Sequence, residues 1–364
     1  MAITGQTRAD GVFTYEALPG RVVFGVGALD RLAEELARLG ARRVLLVASK
    51  RVADELVGQL GDRHAATFSD IVQHVPVEVA ERAGRLAREV DADCLVAVGG
   101  GSAVGLAKAV ALDLELPIVA VPTTYAGSEL TTIYGLSQGG RKRTGRDPRV
   151  LPKVVVYDPT LTVSLPPQVT GPSGMNALAH CVEAFYGPGA NPISTLLAEE
   201  GIRALAAGLP PAFERPDDLD GRTRALRGAW LAGAALAVAG TGIHHQICHV
   251  LGGAFGLDHG GMHAVLLPHT VRFVTPAVPA AMARVAAALG AADAATGCFR
   301  LARQVGAPAS LAALGMAASD LDRAAELCAG HVTSRPRPAR VEELRALLGA
   351  AHAGQPPEPA TAGP

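Results

Sequence analysis

The amino-acid sequence predicts an α/β domain with a parallel sheet, followed by an all-helical domain. Up to about residue 162, short aliphatic runs of strand length alternate with segments whose apolar residues recur at helical spacing. Beyond that position, helical segments follow one another and strand patterns almost disappear. Strands that are apolar throughout and alternate with helices are typical of a Rossmann-like parallel sheet with helices on both faces. We therefore expect domains at residues 1–162 and 163–350.

The first domain is predicted to contain strands at 13–18, 21–24, 44–48, 65–71, 95–98, 118–121 and 154–157. Its predicted helices lie at 28–39, 52–60, 77–90 and 103–108. Pro19-Gly20 is a turn signal between the first two strands, and Gly40 is a suitable residue to end the first helix.

The second domain is predicted to contain helices at 173–186, 192–207, 223–238, 244–254, 271–289, 294–305, 319–329 and 341–348. From about residue 351 the sequence is rich in Ala, Gly, Pro and Glu and loses periodicity. We therefore expect residues 351–364 to form a disordered tail.

Composition and charge exclude several classes of protein. The formal net charge is −1, with basic and acidic residues intermixed, so neither nucleic acid nor a membrane surface is indicated as a partner. The five cysteines are scattered and form neither a disulfide ladder nor a Cys-x-x-Cys pair, which indicates a reducing, cytoplasmic environment. No signal sequence is predicted, and the most apolar run, 229–240, is shorter than the ~20 residues that a bilayer requires.

A glycine-rich turn follows the predicted strand at 95–98. It consists of Gly99, Gly100, Gly101 and Ser102, and a helix is predicted directly after it. Such a turn presents free backbone N–H groups and the positive end of a helix dipole, which suit a pyrophosphate, and side chains at 99–101 would block its approach. We therefore expect the first domain to bind a dinucleotide. The alternative is a tight turn with a purely structural role.

A second loop, residues 122–129, follows the predicted strand at 118–121. A parallel sheet places this loop at the same edge as the glycine turn. The hydroxyls of Thr123, Thr124 and Ser128 could therefore meet a phosphate and a ribose. The alternative is a turn that makes only local hydrogen bonds.

Ser49, Lys50 and Arg51 follow the predicted strand at 44–48. An acidic residue here would bind the adenosine ribose and repel a 2′-phosphate. Because the chain has no acidic residue at this point, either NADH or NADPH fits the sequence, with Ser49 as a candidate contact. Lys50 or Arg51 could help to bind the 2′-phosphate of NADPH, and either cation could equally be part of a solvated helix start.

Six of the eleven histidines lie within residues 242–269. His245 and His249 are four residues apart and share one helical face, and His259 begins a second such pair with His263. Imidazoles concentrated in apolar sequence indicate a metal site or an acid/base pocket. The alternative is that some of them are core histidines satisfied by hydrogen bonds.

Taken together, these residues resemble the iron-containing alcohol dehydrogenase superfamily, and more closely its maleylacetate reductase branch. The resemblance extends to about residue 350. It is carried by the glycine turn, the 122–129 loop, the histidine stretch, and the segments 15–25, 142–148 and 174–180. It implies a dehydroquinate synthase-like fold, NADH and/or NADPH as cofactor, Lys142 as a further cofactor contact, and a homodimer. The strands predicted at 13–24 offer an edge for pairing.

The resemblance also bears on a metal. Metal-dependent members hold a divalent ion with one Asp and three His, and the matching positions here are Asn176, His180, His245 and His259. An amide oxygen is a weak ligand for Fe²⁺ or Zn²⁺ and removes the negative charge that would offset the cation. The maleylacetate reductase branch shares this feature and is regarded as metal-independent. We therefore expect no metal, with these four residues in vestigial ligand positions.

The implied substrate is maleylacetate, a small dicarboxylate that is reduced to 3-oxoadipate in aromatic-compound degradation. Hydride would add to the alkene carbon remote from the ketone, leaving an enolate that hydrogen-bond donors stabilise and an acid protonates. His180, His245 and His259 are candidate donors or carboxylate ligands, and His249 is the candidate proton donor. The candidate substrate contacts are Asn176, Tyr125, Arg146 and Arg337. For each arginine, a structural or solvated role is the alternative.

Two departures from the branch pattern keep other activities open. Gly260-Gly261-Met262 stands where a Glu with small neighbours is typical, and Asp258 stands where Pro is usual. One alternative is a metal-dependent alcohol or aldehyde dehydrogenase of the same superfamily. Another is a member recruited to a different reaction in a biosynthetic pathway.

Overall fold

The computed structural model describes residues 13, 15–18, 20–138, 141–332 and 335–358, without the side chains of residues 141 and 142. The chain divides into two compact units. The α/β unit is Leu18–Leu165, and the helical unit comprises the chain from Pro166 onward together with the residues that precede Leu18. Of the predicted tail, residues 359–364 lie outside the described part of the chain.

The α/β unit contains eight strands in its described part. They are β1 (Arg21–Phe24), β2 (Val44–Ala48), β3 (His64–Phe68), β4 (Cys94–Gly99), β5 (Ile118–Pro122), β6 (Ile133–Gln138), β7 (Arg141–Arg146) and β8 (Val154–Tyr157). Six of them form one parallel sheet in the order β1-β8-β5-β4-β2-β3. The α-helices of this unit are α1 (Leu32–Arg38), α2 (Lys50–Leu60), α3 (Val77–Glu89) and α4 (Gly101–Leu114). The predicted doubly wound architecture is confirmed.

The sequence predictions fail at three places in this unit. The described residues of 13–18 form no strand, so β1 is one edge strand of the sheet and β3 is the other. The strand predicted at 65–71 ends at Phe68, because the chain then turns, with Ile71 N–H donating to the carbonyl of Ser69. The antiparallel pair β6 and β7 was not predicted, since the segment 141–146 is mostly charged and lacks the alternating apolar residues of a half-buried strand.

The helical unit contains nine α-helices in its described part. They are α5 (Pro167–Glu183), α6 (Pro192–Glu214), α7 (Leu219–Ala239), α8 (Ile243–Phe255), α9 (His259–Val274), α10 (Pro279–Ala288), α11 (Ala294–Gln304), α12 (Leu321–His331) and α13 (Val341–Ala353). Glycines bring some of them close together: a Cβ on Gly171 would lie 2.1 Å from the backbone oxygen of Val305, and one on Gly208 would lie 2.4 Å from the nitrogen of Ala225.

Three predictions in this unit are wrong. The helix predicted at 271–289 is two helices, because Pro276 and Pro279 interrupt the backbone hydrogen bonding between α9 and α10. Most of α9 was not predicted at all. The tail was expected to begin at 351, but α13 continues to Ala353, and Ala351 is fully buried.

Among the described residues, no single helix is long and apolar enough to cross a membrane. Helices α7 and α8 reach that length and composition only as a pair, and the pair is bent by 98°.

Candidate active site

The glycine turn joins β4 directly to α4. Gly99 has φ +150°, a conformation that side-chain-bearing residues rarely adopt, and a Cβ there would lie 3.0 Å from the Cβ of Ala103. A Cβ on Gly100 would lie 3.0 Å from Cγ2 of Thr124. The backbone conformation therefore favours glycine at position 99, and a side chain at position 100 would crowd Thr124. Its backbone leads straight into the N-terminus of α4, as a phosphate-binding turn requires.

The loop at 122–129 lies against this turn, as the parallel topology predicts. Gly99 and Pro122 are partners in the β4–β5 ladder, and the N–H of Thr123 donates to the carbonyl of Gly99 at 3.0 Å. Ser49 follows β2, whose last residue is in register with Val98 of β4. The carboxyl ends of three neighbouring strands thus bring together all of the predicted cofactor contacts except Lys142, which lies in β7 and whose side chain is outside the described part of the structure.

Three helices of the helical unit bring the predicted catalytic histidines together. Helix α5 carries Asn176 and His180, α8 carries His245 and His249, and α9 carries His259. The ring centroids of His180 and His245 are 4.3 Å apart and stacked. Those of His245 and His249 are 6.1 Å apart, and those of His249 and His259 are 6.4 Å apart with an interplanar angle of 13°. His249 and His259 are exposed, whereas Asn176, His180 and His245 are buried.

Glu183 holds His245 in place. This carboxylate is fully buried on α5, three residues beyond His180, and it accepts hydrogen bonds from the backbone N–H and from Nδ1 of His245 at 3.2 and 2.5 Å. The backbone N–H of Gly242 also donates to it. Because backbone donors favour the ionised carboxylate, we place the proton on Nδ1 of His245, and Nε2 is then an acceptor.

His244 and His263 form a second buried chain of hydrogen bonds with Thr270. The Thr270 hydroxyl donates to the carbonyl of Leu267 at 3.0 Å, so its oxygen accepts from Nδ1 of His244 at 2.9 Å. Nε2 of His244 then accepts from Nδ1 of His263 at 2.8 Å. By elimination, Nε2 of neutral His263 is an acceptor too. The ring centroid of His263 lies 4.4 Å from that of His245 and 4.5 Å from that of His259.

Several buried polar atoms of this cluster have no hydrogen-bond partner among the described residues. They are Oδ1 of Asn176, Nδ1 of His180, Nε2 of His245 and Nε2 of His263. Burial, reinforced by the neighbouring imidazoles, lowers the pKa of His180, His245 and His263 well below its ordinary value. Burial also lowers the pKa of His244 to about 3. These rings are therefore neutral near pH 7. Unpaired buried polar atoms are costly, and their concentration in one place indicates a ligand site.

The four positions predicted to match metal ligands include no carboxylate, which is unfavourable for a divalent iron. Asn176, His180, His245 and His259 are all neutral donors, and the Glu183 carboxylate is bonded to Nδ1 of His245 instead of facing them. One trio of side chains does bring its ligand atoms within 4.8 Å of one another, and it is His244, His245 and His263. In that trio, however, His244 and His263 are hydrogen-bonded to each other.

The unusual residues at the start of α9 have structural roles. Asp258 caps the helix by accepting from the N–H of Gly261 at 2.7 Å. A Cβ on Gly260 would lie 3.0 Å from Pro172, and one on Gly261 would lie 2.7 Å from Leu314. Met262 is buried. These departures from the branch pattern therefore concern helix capping and close packing.

The four predicted substrate contacts lie in different surroundings. Asn176 belongs to the histidine cluster. Tyr125 is completely buried in the α/β unit, so its ring presents no surface to a ligand in this conformation. Arg146 is exposed on β7. Arg337 pairs with Glu343 and lies 4.3 Å over the ring of Phe273, which supports the structural alternative for this arginine.

Three residues of the cluster, Glu183, His244 and His263, were not predicted as site residues. His244 and His263 belong to the recognised histidine stretch but were not given roles. Glu183 had one available signal, its position three residues after His180, which places both on one helical face.

Comparison with known proteins gives consistent matches over nearly the whole chain. Residues 19–159 match the model for iron-containing alcohol dehydrogenase, and residues 170–352 match the model for the C-terminal part of the same family. The chain is 49% identical to the maleylacetate reductase of Sphingobium indicum, covering 95% of this chain and 99% of the relative. It is 53% identical to maleylacetate reductase 2 of Cupriavidus pinatubonensis, covering 93% and 96%.

A solved structure agrees with these relatives. The crystal structure of maleylacetate reductase from Agrobacterium tumefaciens superposes with a TM-score of 0.92 at 44% identity, covering 95% of this chain and 99% of the other.

Proposed function

The chain belongs to the iron-containing alcohol dehydrogenase family, in its maleylacetate reductase branch, and we propose that it reduces maleylacetate to 3-oxoadipate with NADH or NADPH. The observation that carries this proposal is the cluster of buried, unpaired imidazole and amide atoms on α5, α8 and α9, with Asn176 in place of a metal-binding carboxylate. Relatives named maleylacetate reductases match over 95% of the chain, which supports the choice of substrate.

The bound nicotinamide cofactor supplies the hydride that adds to the conjugated C=C. The backbone N–H groups of the glycine turn and the N-terminus of α4 bind the cofactor's pyrophosphate. The hydroxyls of Thr123, Thr124 and Ser128 bind its phosphate and ribose. Neither Ser49 nor Lys50, which follow β2, is an acidic residue that would repel a 2′-phosphate, so we expect both NADH and NADPH to be accepted.

In the helical unit, His180 and His259 donate hydrogen bonds to the ketone oxygen, where negative charge collects as the enolate forms. His245 was expected to share this role. In its neutral form, however, it carries its proton on Nδ1, where Glu183 accepts it, so its Nε2 cannot donate. We therefore assign His245 to holding the ring of His180, on which it stacks with 4.3 Å between the ring centroids.

Protonation of the carbon next to the ketone needs an acid that can be recharged from solvent. His249 is exposed, lies one helical turn after His245, and stacks near His259. Its imidazole can therefore lie next to the other site histidines and still take up a new proton from solvent, and we assign it as the proton donor. Asn176 and Arg146 remain our candidates for holding the substrate's carboxylates.

We further propose that the reaction proceeds without a metal, since the four ligand positions offer no negative charge. The protein is expected to act in the cytoplasm as a homodimer, with the exposed edge of β1 as a candidate pairing strand.

A substrate panel tests the proposal. Oxidation of NADH and of NADPH is followed by absorbance with maleylacetate, and in parallel with simple aldehydes and ketones. We expect rapid turnover of maleylacetate and little of the aldehydes. Turnover of aldehydes alone would favour a metal-dependent dehydrogenase, and turnover of none of these substrates would favour a member recruited to another reaction.

A further inference from the structure

A buried lysine lies beneath the proposed cofactor loop. Lys108 is on α4 and is 1% exposed. Its Nζ lies 2.6 Å from the carbonyl oxygen of Ser128 and 2.8 Å from those of Thr131 and Ile133. The hydroxyl oxygen of Thr131 is a fourth neighbour at 3.1 Å. No site residue was predicted here, and the one available signal was a single lysine within an apolar helix.

These contacts require the charged form of the side chain. An ammonium group has three N–H donors, whereas a neutral amine has two and would direct its lone pair at an oxygen. Burial lowers the pKa of Lys108 to about 7, while the charge of Glu129 raises it. The four surrounding oxygens also favour the ammonium ion: three are carbonyl oxygens, and the Thr131 hydroxyl gives its own proton to the carbonyl of Ser128, so all four accept from Nζ.

The lysine connects the two parts of the proposed cofactor site. It lies on α4, whose N-terminus is the glycine turn, and its acceptors lie in the segment that continues the loop from Ser128. The segment is tied together further by the Thr131 hydroxyl, which donates to the carbonyl of Ser128 at 2.9 Å and accepts from the N–H of Ile133 at 3.2 Å.

Tyr157 anchors the same segment from β8. Its hydroxyl donates to the buried carboxylate of Glu129 at 2.6 Å. The loop is therefore held from the helix by a cation and from the sheet by a carboxylate–phenol pair.

We propose that Lys108 is the positioning residue of the cofactor site: it fixes Ser128, and with it the Thr123–Ser128 loop, against the N-terminus of α4. Packing alone would not need a buried ammonium ion, since an apolar side chain of the same length would fill the space without desolvating a charge. Carbonyl groups that converge on one cation instead fix the backbone path of the loop. This inference rests on the proposed binding of a nicotinamide cofactor.

The test is the affinity for NADH of the full-length Lys108→Met variant, measured by calorimetric titration and by KM. Methionine keeps the length of the side chain and removes its donors. We expect the Kd for NADH to rise by about tenfold or more, because three charged hydrogen bonds to the loop are lost. We expect the KM for maleylacetate, and kcat at saturating NADH, to stay within about twofold, because the four oxygen neighbours of Lys108 all lie between Ser128 and Ile133 and none belongs to a proposed substrate contact.

Two further variants separate positioning from loss of stability. Leu106→Ala shortens a buried apolar side chain of the same helix, one that has no polar group to donate to the loop oxygens. It should lower Tm while leaving the Kd for NADH unchanged. Thr131→Val removes one acceptor of Lys108 and should weaken NADH binding in the same direction by a smaller factor. It also serves in place of Lys108→Met should that variant not fold.

The outcomes are distinct. The positioning role would be overturned if Lys108→Met bound NADH as tightly as Leu106→Ala does at a similar loss of Tm. If Lys108→Met does not fold, unchanged NADH binding by Thr131→Val would overturn it. Failure of the unsubstituted protein to bind NADH or NADPH would instead reject the proposed function.

Discussion

The two units of this protein bury polar side chains in opposite ways. In the α/β unit, the Lys108 ammonium has four oxygen neighbours and the Glu129 carboxylate accepts from Tyr157. In the helical unit, polar atoms of His180, His245 and His263 have no partner among the described residues. A satisfied buried network acts as scaffold, because its members have nothing left to bind. The unsatisfied network marks where a substrate is expected to bind.

The same contrast exists within the histidine cluster. Thr270, His244 and one nitrogen of His263 form a closed chain, and Glu183 satisfies one nitrogen of His245. Each chain ends in a bare Nε2. The hydrogen bonds within each chain orient the rings, and each Nε2 without a partner is left as a hydrogen-bond acceptor in the cluster.

The largest expected effect is on turnover. His249→Ala should lower kcat by roughly 10²–10⁴ while NADH binding survives, because the variant lacks the acid that protonates the enolate carbon. The control is His331→Ala, which removes an exposed histidine at the end of α12. If His249→Ala turns over as fast as that control, His249 has no part in the proton transfer.

Acid should destabilise the helical unit selectively. The pKa of His269 is lowered to about 4 and that of His244 to about 3, so between pH 6.5 and these values the unfolded chain binds protons that the folded chain does not. Stability is therefore lost as the pH falls through this window, by about 1.4 kcal/mol per pH unit for each such histidine. The raised pKa of Glu183 acts in the opposite direction.

A substitution at His269 isolates the contribution of that histidine to the pH dependence of stability. His269→Gln should be less acid-sensitive than the unsubstituted protein by about 3 kcal/mol between pH 7 and pH 4, as measured by urea unfolding at each pH. An unchanged pH dependence would mean that His269 titrates normally in the folded protein.

Breaking the hydrogen-bond chain of Thr270, His244 and His263 should affect the stability of the protein more than its turnover. Thr270→Val leaves Nδ1–H of His244 without an acceptor, which should lower the free energy of unfolding by about 2 kcal/mol. Thr275→Val is a suitable comparison, since Thr275 donates only to the carbonyl of Val271 on the same helix. Equal losses in the two variants would show that the His244 chain has no special role in stability.

Asn176→Asp should have the smallest effect, and it tests the ligand positions directly. The carboxylate should lower maleylacetate turnover by about tenfold, because it repels a dianionic substrate, and it should increase binding of Zn²⁺ or Fe²⁺. Metal content and turnover are measured on the same preparation. Unaltered metal affinity would mean that the charge at position 176 does not decide whether the active site binds a metal.

The sequence identified most elements of the fold because each has a local signal. The strands at 44–48 and 154–157 were predicted to the residue, since they are short aliphatic runs between clear breakers. Most of helix α9 was missed because Gly260, Gly261 and Pro268 are unfavourable in a helix, and tertiary packing overrides that preference. The pair β6 and β7 depends on cross-strand hydrogen bonds between residues with little strand character.

The site was predictable as a list of residues but not as a network. Spacing placed His245 and His249 on one face, and the resemblance identified Asn176. The proton positions could not be inferred from the sequence. They depend on Glu183, which is 62 residues from His245, and on Thr270, which is 26 residues from His244 and donates to Leu267. Lys108 was missed for the same reason, since its acceptors lie 20 to 25 residues away along the chain.

The central claim is that neutral imidazoles, and not a metal ion, support the reduction. The most direct measurement is maleylacetate-dependent NADH oxidation by enzyme that was purified with a chelator and shown by elemental analysis to lack stoichiometric iron and zinc. We predict turnover equal to that of enzyme purified without chelator. Loss of turnover that Fe²⁺ or Zn²⁺ restores, with the metal bound at one ion per chain, would contradict the account.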